Sequence, residues 1–266
     1  MNTRTTASVT ADAPRPRWLP PDPALGPSRS VEVASFCDIG LRRHNNEDRI
    51  LVMPEASLFA VADGIGGCEG GELAAEITVE TLKAHAEAWP SLRGSPSRAA
   101  SLQAEALLEA IEAANTAVCT KAKSERALQD MGTTIVACSV VGDALVVAHV
   151  GDSRLYLQRG DLLYRLTDDH VTFQDWDGRV KEVLTRCVGW PGGVRVDVKL
   201  RALQPGDVIL LCSDGLYSEV DDEGFAQELG QVTSEAKSLA DAASNLLETA
   251  LKNGGRDNVS GVLIKV

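Results

Sequence analysis

The sequence predicts an α+β domain in which antiparallel β-sheets pack against layers of helix. Three observations carry this. Short runs rich in Val, Ile and Leu are bounded by Gly, Asp or Pro, the pattern of buried strands. Two long segments with apolar residues at steps of four and three fall between the early strand runs. Consecutive strands are joined by links too short for a crossover helix, which favours antiparallel pairing over a doubly wound parallel sheet. The composition agrees: 44% hydrophobic and 24% charged residues describe a globular chain and exclude a collagen-like or wholly disordered one. With aromatics at only 4%, the core must be aliphatic and alanine-rich.

Residues 1–30 stand apart. They hold six of the eleven prolines (Pro14, Pro16, Pro20, Pro21, Pro23 and Pro27) and carry +2, against −14 for the remainder of a chain of net charge −12. Such a segment buries too little apolar surface to offset its ordering entropy, so it reads as a flexible arm, either a docking segment or an inert leader. From Val31 to the end the chain reads as one domain. Strands are expected at 31–36, 49–53, 57–62, 133–141, 144–150, 153–158, 207–213 and 259–266. Ala75, Val79, Leu82, Ala86 and Trp89 predict a first helix, and Ala100, Ala104, Leu107, Ile111, Ala114 and Val118 a second. Val141-Gly142-Asp143-Ala144 reads as a tight hairpin turn. A third helix is expected over about 234–252, entered after Ser234 and stopped by Asn253-Gly254-Gly255.

The acidic balance argues against a nucleic-acid-coating surface or a polybasic membrane anchor. No apolar stretch approaches the ~20 residues a membrane span requires, and the N-terminus lacks the apolar core of a signal peptide. The six cysteines (37, 68, 119, 138, 187 and 212) form no CxxC or clustered pattern, which points to reduced thiols in the cytoplasm. Cys138 and Cys212 lie in apolar runs and read as small buried residues.

Chemistry concentrates in aspartates placed just beyond apolar runs. Asp63-Gly64 follows Ala60-Val61-Ala62, Asp214-Gly215 follows Leu210-Leu211-Cys212-Ser213, and Gly255-Arg256-Asp257-Asn258 precedes the last strand. A carboxylate at a strand end has a rigid support, and the glycine after it lets a carbonyl approach an ion. Each corner alone reads equally well as an Asp-Gly turn; three converging would make an all-oxygen site for a hard cation such as Mg or Mn. Arg43 with Asn45-Asn46-Glu47-Asp48 is either a polar loop or two more carboxylates with a guanidinium able to clamp phosphate. Gly64-Ile65-Gly66-Gly67 is no dinucleotide fingerprint, because Glu69 stands where the third glycine belongs, and no phosphate-loop Lys-Ser/Thr follows. No GxSxG occurs, and the four histidines (44, 85, 149 and 170) share no ligand spacing.

In chain order the sequence carries Asp38-Ile39-Gly40 with Arg43 and Asn46-Glu47-Asp48, then Asp63-Gly64-Ile65-Gly66-Gly67. Met131-Gly132-Thr133-Thr134, Val150-Gly151-Asp152-Ser153-Arg154 and Leu166-Thr167-Asp168-Asp169-His170 follow. Pro205-Gly206-Asp207, Cys212-Ser213-Asp214-Gly215 and Gly255-Arg256-Asp257-Asn258-Val259-Ser260 complete the series. It resembles the metal-dependent protein serine/threonine phosphatases of the type 2C class, above all their compact bacterial members, from about residue 31 to the C-terminus.

The resemblance implies a four-layer sandwich of two antiparallel β-sheets flanked by α-helices, with two Mn or Mg ions at one end. By motif, Asp63 would bridge both ions and Gly64 would add its carbonyl. Asp214 and Asp257 would complete one shell; Glu47 and Asp48 would reach the other ion directly or through water. Arg43 matches the phosphate-binding arginine, and Asp152 the aspartate that helps hold a third, weaker metal. The implied reaction is hydrolysis of phosphoserine or phosphothreonine by a water or hydroxide bridging the two ions, without a phosphoenzyme. Phosphorylated proteins and a cognate serine/threonine kinase are the implied partners of a cytoplasmic monomer. The alternative is a catalytically inactive phosphoprotein-binding pseudophosphatase or scaffold, which retention of Asp63, Asp214 and Asp257 disfavours. Two departures stand out. Ile65 occupies a position where some members carry a leaving-group histidine, passing that role to a metal-bound water or His44. Residues 170–189 match the family's flap but are short, with Trp176 and an Asp177-Gly178 turn. Cys68 reads as a bland small residue.

Overall fold

Period-2 alternation sorts the strands into two sheets with three apolar layers between and around them. The structure, a computed structural model, describes residues 31–65, 70–87, 89, 99–176 and 179–266. The arm over 1–30, the glycines and cysteine at 66–68 and the expected turn at 177–178 lie outside the described residues. The strands are β1 (Glu32–Asp38), β2 (Asp48–Met53), β3 (Leu58–Ile65), β4 (Gly132–Thr133), β5 (Ile135–Val141), β6 (Ala144–Val150), β7 (Arg154–Arg159), β8 (Leu162–Arg165), β9 (Val171–Trp176), β10 (Arg179–Leu184), β11 (Asp197–Ala202), β12 (Val208–Cys212) and β13 (Val259–Lys265). The helices are α1 (Gly70–Ala86), α2 (Ala99–Ser124), α3 (Asp214–Tyr217), α4 (Asp222–Thr233) and α5 (Leu239–Asn253). One sheet runs β1-β13-β12-β7-β8 and the other β11-β6-β5-β3-β2, with β4 on β3 and β9-β10 as a separate hairpin. All the pairings are antiparallel, as the short links require.

Successive side chains of a strand face opposite sides of its sheet. In β12, Ile209 and Leu211 point between the sheets and meet Phe59, Val136, Leu155 and Val262. Val208, Leu210 and Cys212 point outward and pack with Phe225 of α4 and Leu246 of α5. On the other sheet the outward face mixes small residues (Ala60, Ala137, Ala148) with larger ones (Leu58, Ile135, Val146) and packs against Leu82 of α1 and Leu107 and Ile111 of α2. The result is helix, sheet, sheet, helix: the four layers that the resemblance implied. Leu211 is completely buried between the sheets, so Leu211→Ala should lower the unfolding free energy in urea by about 2–5 kcal/mol. A loss under about 1 kcal/mol would contradict that placement.

The expected strands are present to within three residues, the largest difference being that β3 runs on past 62 to Ile65, and Thr134 interrupts 133–141 between β4 and β5. Gly142 takes φ +57° as the first central residue of the expected β5–β6 turn. The third helix differs. Ser234 is the C-cap of α4, with its Oγ 2.9 Å from the Gly230 carbonyl oxygen, and Glu235 adopts φ +60°. The chain turns there and α5 starts five residues later, capped by the Ser238 hydroxyl, which accepts the Asp241 N–H at 3.0 Å. The sequence reading missed α4, although Asp221 caps it and Phe225, Leu229 and Val232 supply its buried face at helical spacing. It also missed β8, β9, β10 and β11, which are edge or hairpin strands.

Candidate active site

Antiparallel pairing brings the predicted aspartates to one end of the sandwich. Asp48 opens β2 and Asp63 lies near the end of β3, directly opposite it in the register. Like charges in facing positions of neighbouring strands destabilise a sheet, so this pair signals a function other than stability. Asp214 follows the end of β12 as the first residue of α3, and Asp257 precedes β13, the neighbour of β12. Asp152 follows Gly151 in the turn after β6.

Burial pushes the Asp48 carboxyl up to about 6, and the charges of Asp214 and Asp257 add to the rise while the Ser213 hydroxyl, 2.8 Å from Asp48 Oδ2, offsets part of it. Asp63 is held well above the carboxylate range by burial and by Asp48, Asp214 and Asp152. Asp214 is raised by burial and Asp257, and Asp152 goes up to about 7 through burial and Asp214. Five acids thus face one another, with Arg43 the cation set among them. Its Nη2 is 2.6 Å from Asp257 Oδ2, a bond that raises the guanidinium pKa, with Glu47 and Asp214 contributing. Both partners remain partly exposed, so the guanidinium stands at the solvent-facing edge of the acidic cluster.

The backbone explains the glycines. Gly64 N–H donates to the Glu47 carbonyl at 3.2 Å, and a Cβ on Gly64 would strike the backbone of Gly71 and the Glu47 carbonyl. A Cβ on Gly71 would strike Glu47 Oε2. The buried Glu47 side chain therefore points at the start of α1, where Asn45 also donates to its Oε1 at 3.4 Å. Strand β4 holds Gly64 and Ile65 from the other side.

Several residues that sequence reading quoted without a role turn out to build the site. Asn258 Oδ1 accepts the Glu47 N–H at 2.9 Å, and its Nδ2 donates to Ile39 O and Asn45 O at 2.9 and 3.0 Å, tying the Arg43–Glu47 loop to β13. Thr134 Oγ1 accepts the Asp63 N–H at 3.1 Å, and Thr133 Oγ1 donates to the Asp63 carbonyl at 2.9 Å. Arg154 grips Asp169 at 3.1 and 2.7 Å and lies 3.6 Å over the Tyr217 ring, bracing the short helix that carries Asp214. Their short motifs were visible; their partners, far away in sequence, were not. His149 and His170, apart in sequence, stack with centroids 4.6 Å apart. His44 lies exposed on the Arg43 loop. The five cysteines among the described residues are free, with Cys138 and Cys212 buried as expected. Cys37 Sγ sits 3.7 Å from the Asp48 carbonyl oxygen, and burial and Asp48 raise its pKa, which disfavours a thiolate nucleophile.

The donor set is all hard oxygen, and a divalent cation would relieve the repulsion that raises these carboxyl pKa values; the residues fit Mg or Mn. A family model for protein phosphatase 2C matches residues 42–252. The serine/threonine phosphatase stp of Listeria innocua is 32% identical over 247 residues, covering 86% of this chain and 93% of its own. The serine/threonine protein phosphatase PstP of Mycobacterium tuberculosis is 34% identical over 248 residues, which is 89% of this chain and 45% of that longer protein. Among solved structures, the PstP catalytic domain in complex with two manganese ions superimposes with TM-score 0.73 at 32% identity, covering 88% of this chain and 97% of that one. Sequence, sandwich and converging aspartates agree: the chain belongs to the protein phosphatase 2C family.

Proposed function

We propose that residues 31–266 form a domain that hydrolyses phosphoserine and phosphothreonine in proteins with two Mn or Mg ions. The observation that supports this most is the convergence of Asp48, Asp63, Asp214 and Asp257 from four strand ends onto one cleft with Arg43 at its edge. Asp63 would hold both ions with the Gly64 carbonyl contributing, Asp214 and Asp257 would complete one shell, and Glu47 and Asp48 would serve the other directly or through water. Asp152 would help hold a third. When bound, the cations lower the pKa of a shared water and offset phosphoryl charge.

The chain's own residues do the positioning. Ser213 aims Asp48, Thr134 fixes the Asp63 backbone, and Asn258 holds the Arg43–Glu47 loop against β13. Asp257 keeps the Arg43 guanidinium at the cleft edge, where its N–H groups can meet phosphoryl oxygens in a paired geometry. The β9–β10 hairpin serves as the flap beside the cleft. We place the protein in the cytoplasm as a monomer opposing a serine/threonine kinase, in keeping with relatives named serine/threonine phosphatases. No helix among the described residues is long and apolar enough to cross a membrane.

The test compares phosphoserine, phosphothreonine and phosphotyrosine peptides with phosphorylated metabolites, in Mn and in EDTA. Mn-dependent turnover of the first two, abolished by EDTA and restored by Mn, is expected; no peptide turnover in Mn sinks the proposal. Arg43→Ala should lower kcat/KM by about 10–100-fold, mainly through KM, because a charge-assisted contact contributes about 1.5–3 kcal/mol. An unchanged KM would remove Arg43 from substrate binding.

A further inference from the structure

Outside the carboxylate cluster, potential ligand atoms of His149, His170 and Asp197 lie within 4.8 Å of one another. By composition this is a metal-ligand set, but its hydrogen bonds specify something else. The Gly151 N–H donates to His170 Nδ1 at 3.1 Å. That nitrogen therefore keeps its lone pair, and the ring proton sits on Nε2, 3.3 Å from Asp197 Oδ2. A metal on Nε2 would force the proton onto Nδ1, facing an N–H donor. Arg186 Nη1 donates to Asp197 Oδ1 at 2.8 Å; it also comes within 3.0 Å of His170 Nε2, where, as a donor, it forms no bond with the Nε2–H but puts a fixed positive charge beside both would-be ligands. Burial also lowers the His170 pKa, which favours this neutral ring.

The backbone doubles the contact. His170 N–H donates to the Gly151 carbonyl at 3.0 Å, and the His170 carbonyl accepts the Thr185 N–H at 2.8 Å. His170 immediately precedes β9, and Thr185 and Arg186 immediately follow β10. Both ends of the hairpin thus close on His170, and His170 closes on Gly151, next to Asp152. From the opposite side, Gly151 (φ +103°) presses on Thr134, whose Cβ would be 2.7 Å from a Cβ at that position. Thr134 Oγ1 in turn contacts Ser153 Oγ at 2.7 Å and accepts the Asp63 N–H. The turn that presents Asp152 is gripped between the Asp63 corner and the base of the hairpin.

We propose that His170 is a positioning residue: its Nε2–H tautomer, held by Asp197, which Arg186 fixes in turn, locks the Gly151–Asp152 turn to the base of the β9–β10 hairpin, so that hairpin position and cation binding at Asp152 are coupled. This rests on the assignment of Asp152 to a cation made above. Coupling of this kind is reciprocal: whatever orders the hairpin tightens the cation, and the cation orders the hairpin.

Two substitutions separate the contacts. Asn places an oxygen the same number of bonds from Cα as Nδ1, whereas Gln reaches as far as Nε2. His170→Asn should therefore retain the acceptor for Gly151, and His170→Gln should lose it. In metal-free wild type, long-range 1H–15N NMR of His170 should show Nδ1 unprotonated and Nε2 protonated. Amide exchange at Gly151 and across 171–176 and 179–184 should quicken in His170→Gln and stay near wild type in His170→Asn. The Mn concentration for half-maximal hydrolysis of p-nitrophenyl phosphate should rise about 10-fold in His170→Gln, as for other loosened supports of metal ligands. That rise should vanish on an Asp152→Asn background, the signature of coupled residues. A ring protonated on Nδ1, equal effects of Asn and Gln, or an undiminished rise without Asp152 overturns the proposal. If Asp152→Asn alone leaves the Mn requirement unchanged, the cation assignment of Asp152 fails and the coupling falls with it. The exchange data then decide, without a cation, whether His170 still locks the hairpin.

Discussion

Asp63→Asn is expected to abolish Mn-supported hydrolysis, by on the order of 10³-fold or more, while raising the melting temperature of the metal-free protein. The first effect follows from the place of Asp63 between Asp48 and Asp214. If Asp63 is shared by both cations, as proposed, a neutral amide in its place loses about 4 kcal/mol or more of transition-state stabilisation. The second effect has the opposite sign. Burial and three neighbouring acids disfavour the ionised Asp63 carboxylate, and its protonated form bonds to Asp214. Asn removes the charge and keeps a donor toward Asp214. Opposite signs make the experiment informative: lost activity with a lower melting temperature would indicate damage to the fold, and activity within tenfold of the parent would remove Asp63 from the site.

The second large effect concerns metal and pH together. A carboxylate whose pKa rises on folding is protonated in both states at low pH and costs nothing there. As pH climbs through 3.8 the unfolded chain ionises first, and the folded form is penalised until pH passes the folded value. For Asp48, raised to about 6, the penalty reaches about 3 kcal/mol near neutrality in the metal-free protein. His149 and His170, both held low by burial, act in the other direction over the same range, so the absolute melting temperature is a poor readout. The Mn-induced shift isolates the carboxylates. At pH 7.5, Mn at about 100 times its dissociation constant should add about 2.7 kcal/mol, or about 5–10 °C for a chain of this size. At pH 5 protons compete for Asp48 and Asp152, and the shift should shrink to a small fraction. Calorimetry with Mn and with EDTA at both pH values measures it. An equal shift at the two pH values would mean that these carboxylates do not hold the cation.

The glycines and aspartates were legible because each does local work at a strand end. Gly64 admits no Cβ, and Asp63 and Asp214 lie at or just beyond the ends of apolar strands whose composition announces them. Ser234 misled because a serine before an alternating segment can start a helix or end one. Here the carbonyls of α4 claimed its hydroxyl, and a left-handed Glu235 separated two helices. Strands β9 and β10 were illegible because an exposed hairpin has no buried face: Phe173 and Val180 are exposed and their cross-strand partners are acids.

The antiparallel layers, the aliphatic core, the ordered series of acidic corners and, through that series, the family were all written in the order of the residues. These depend on side-chain periodicity and short turns, which act within a few residues. Which acids face one another, that Asn258 and Thr134 hold their backbones, and that His170 joins the hairpin to the Asp152 turn emerged from the folded arrangement alone. Those hydrogen bonds join residues from 19 to more than 200 positions apart. Strand register sets them, and register is settled by packing two sheets and four long helices at once, which no local pattern records.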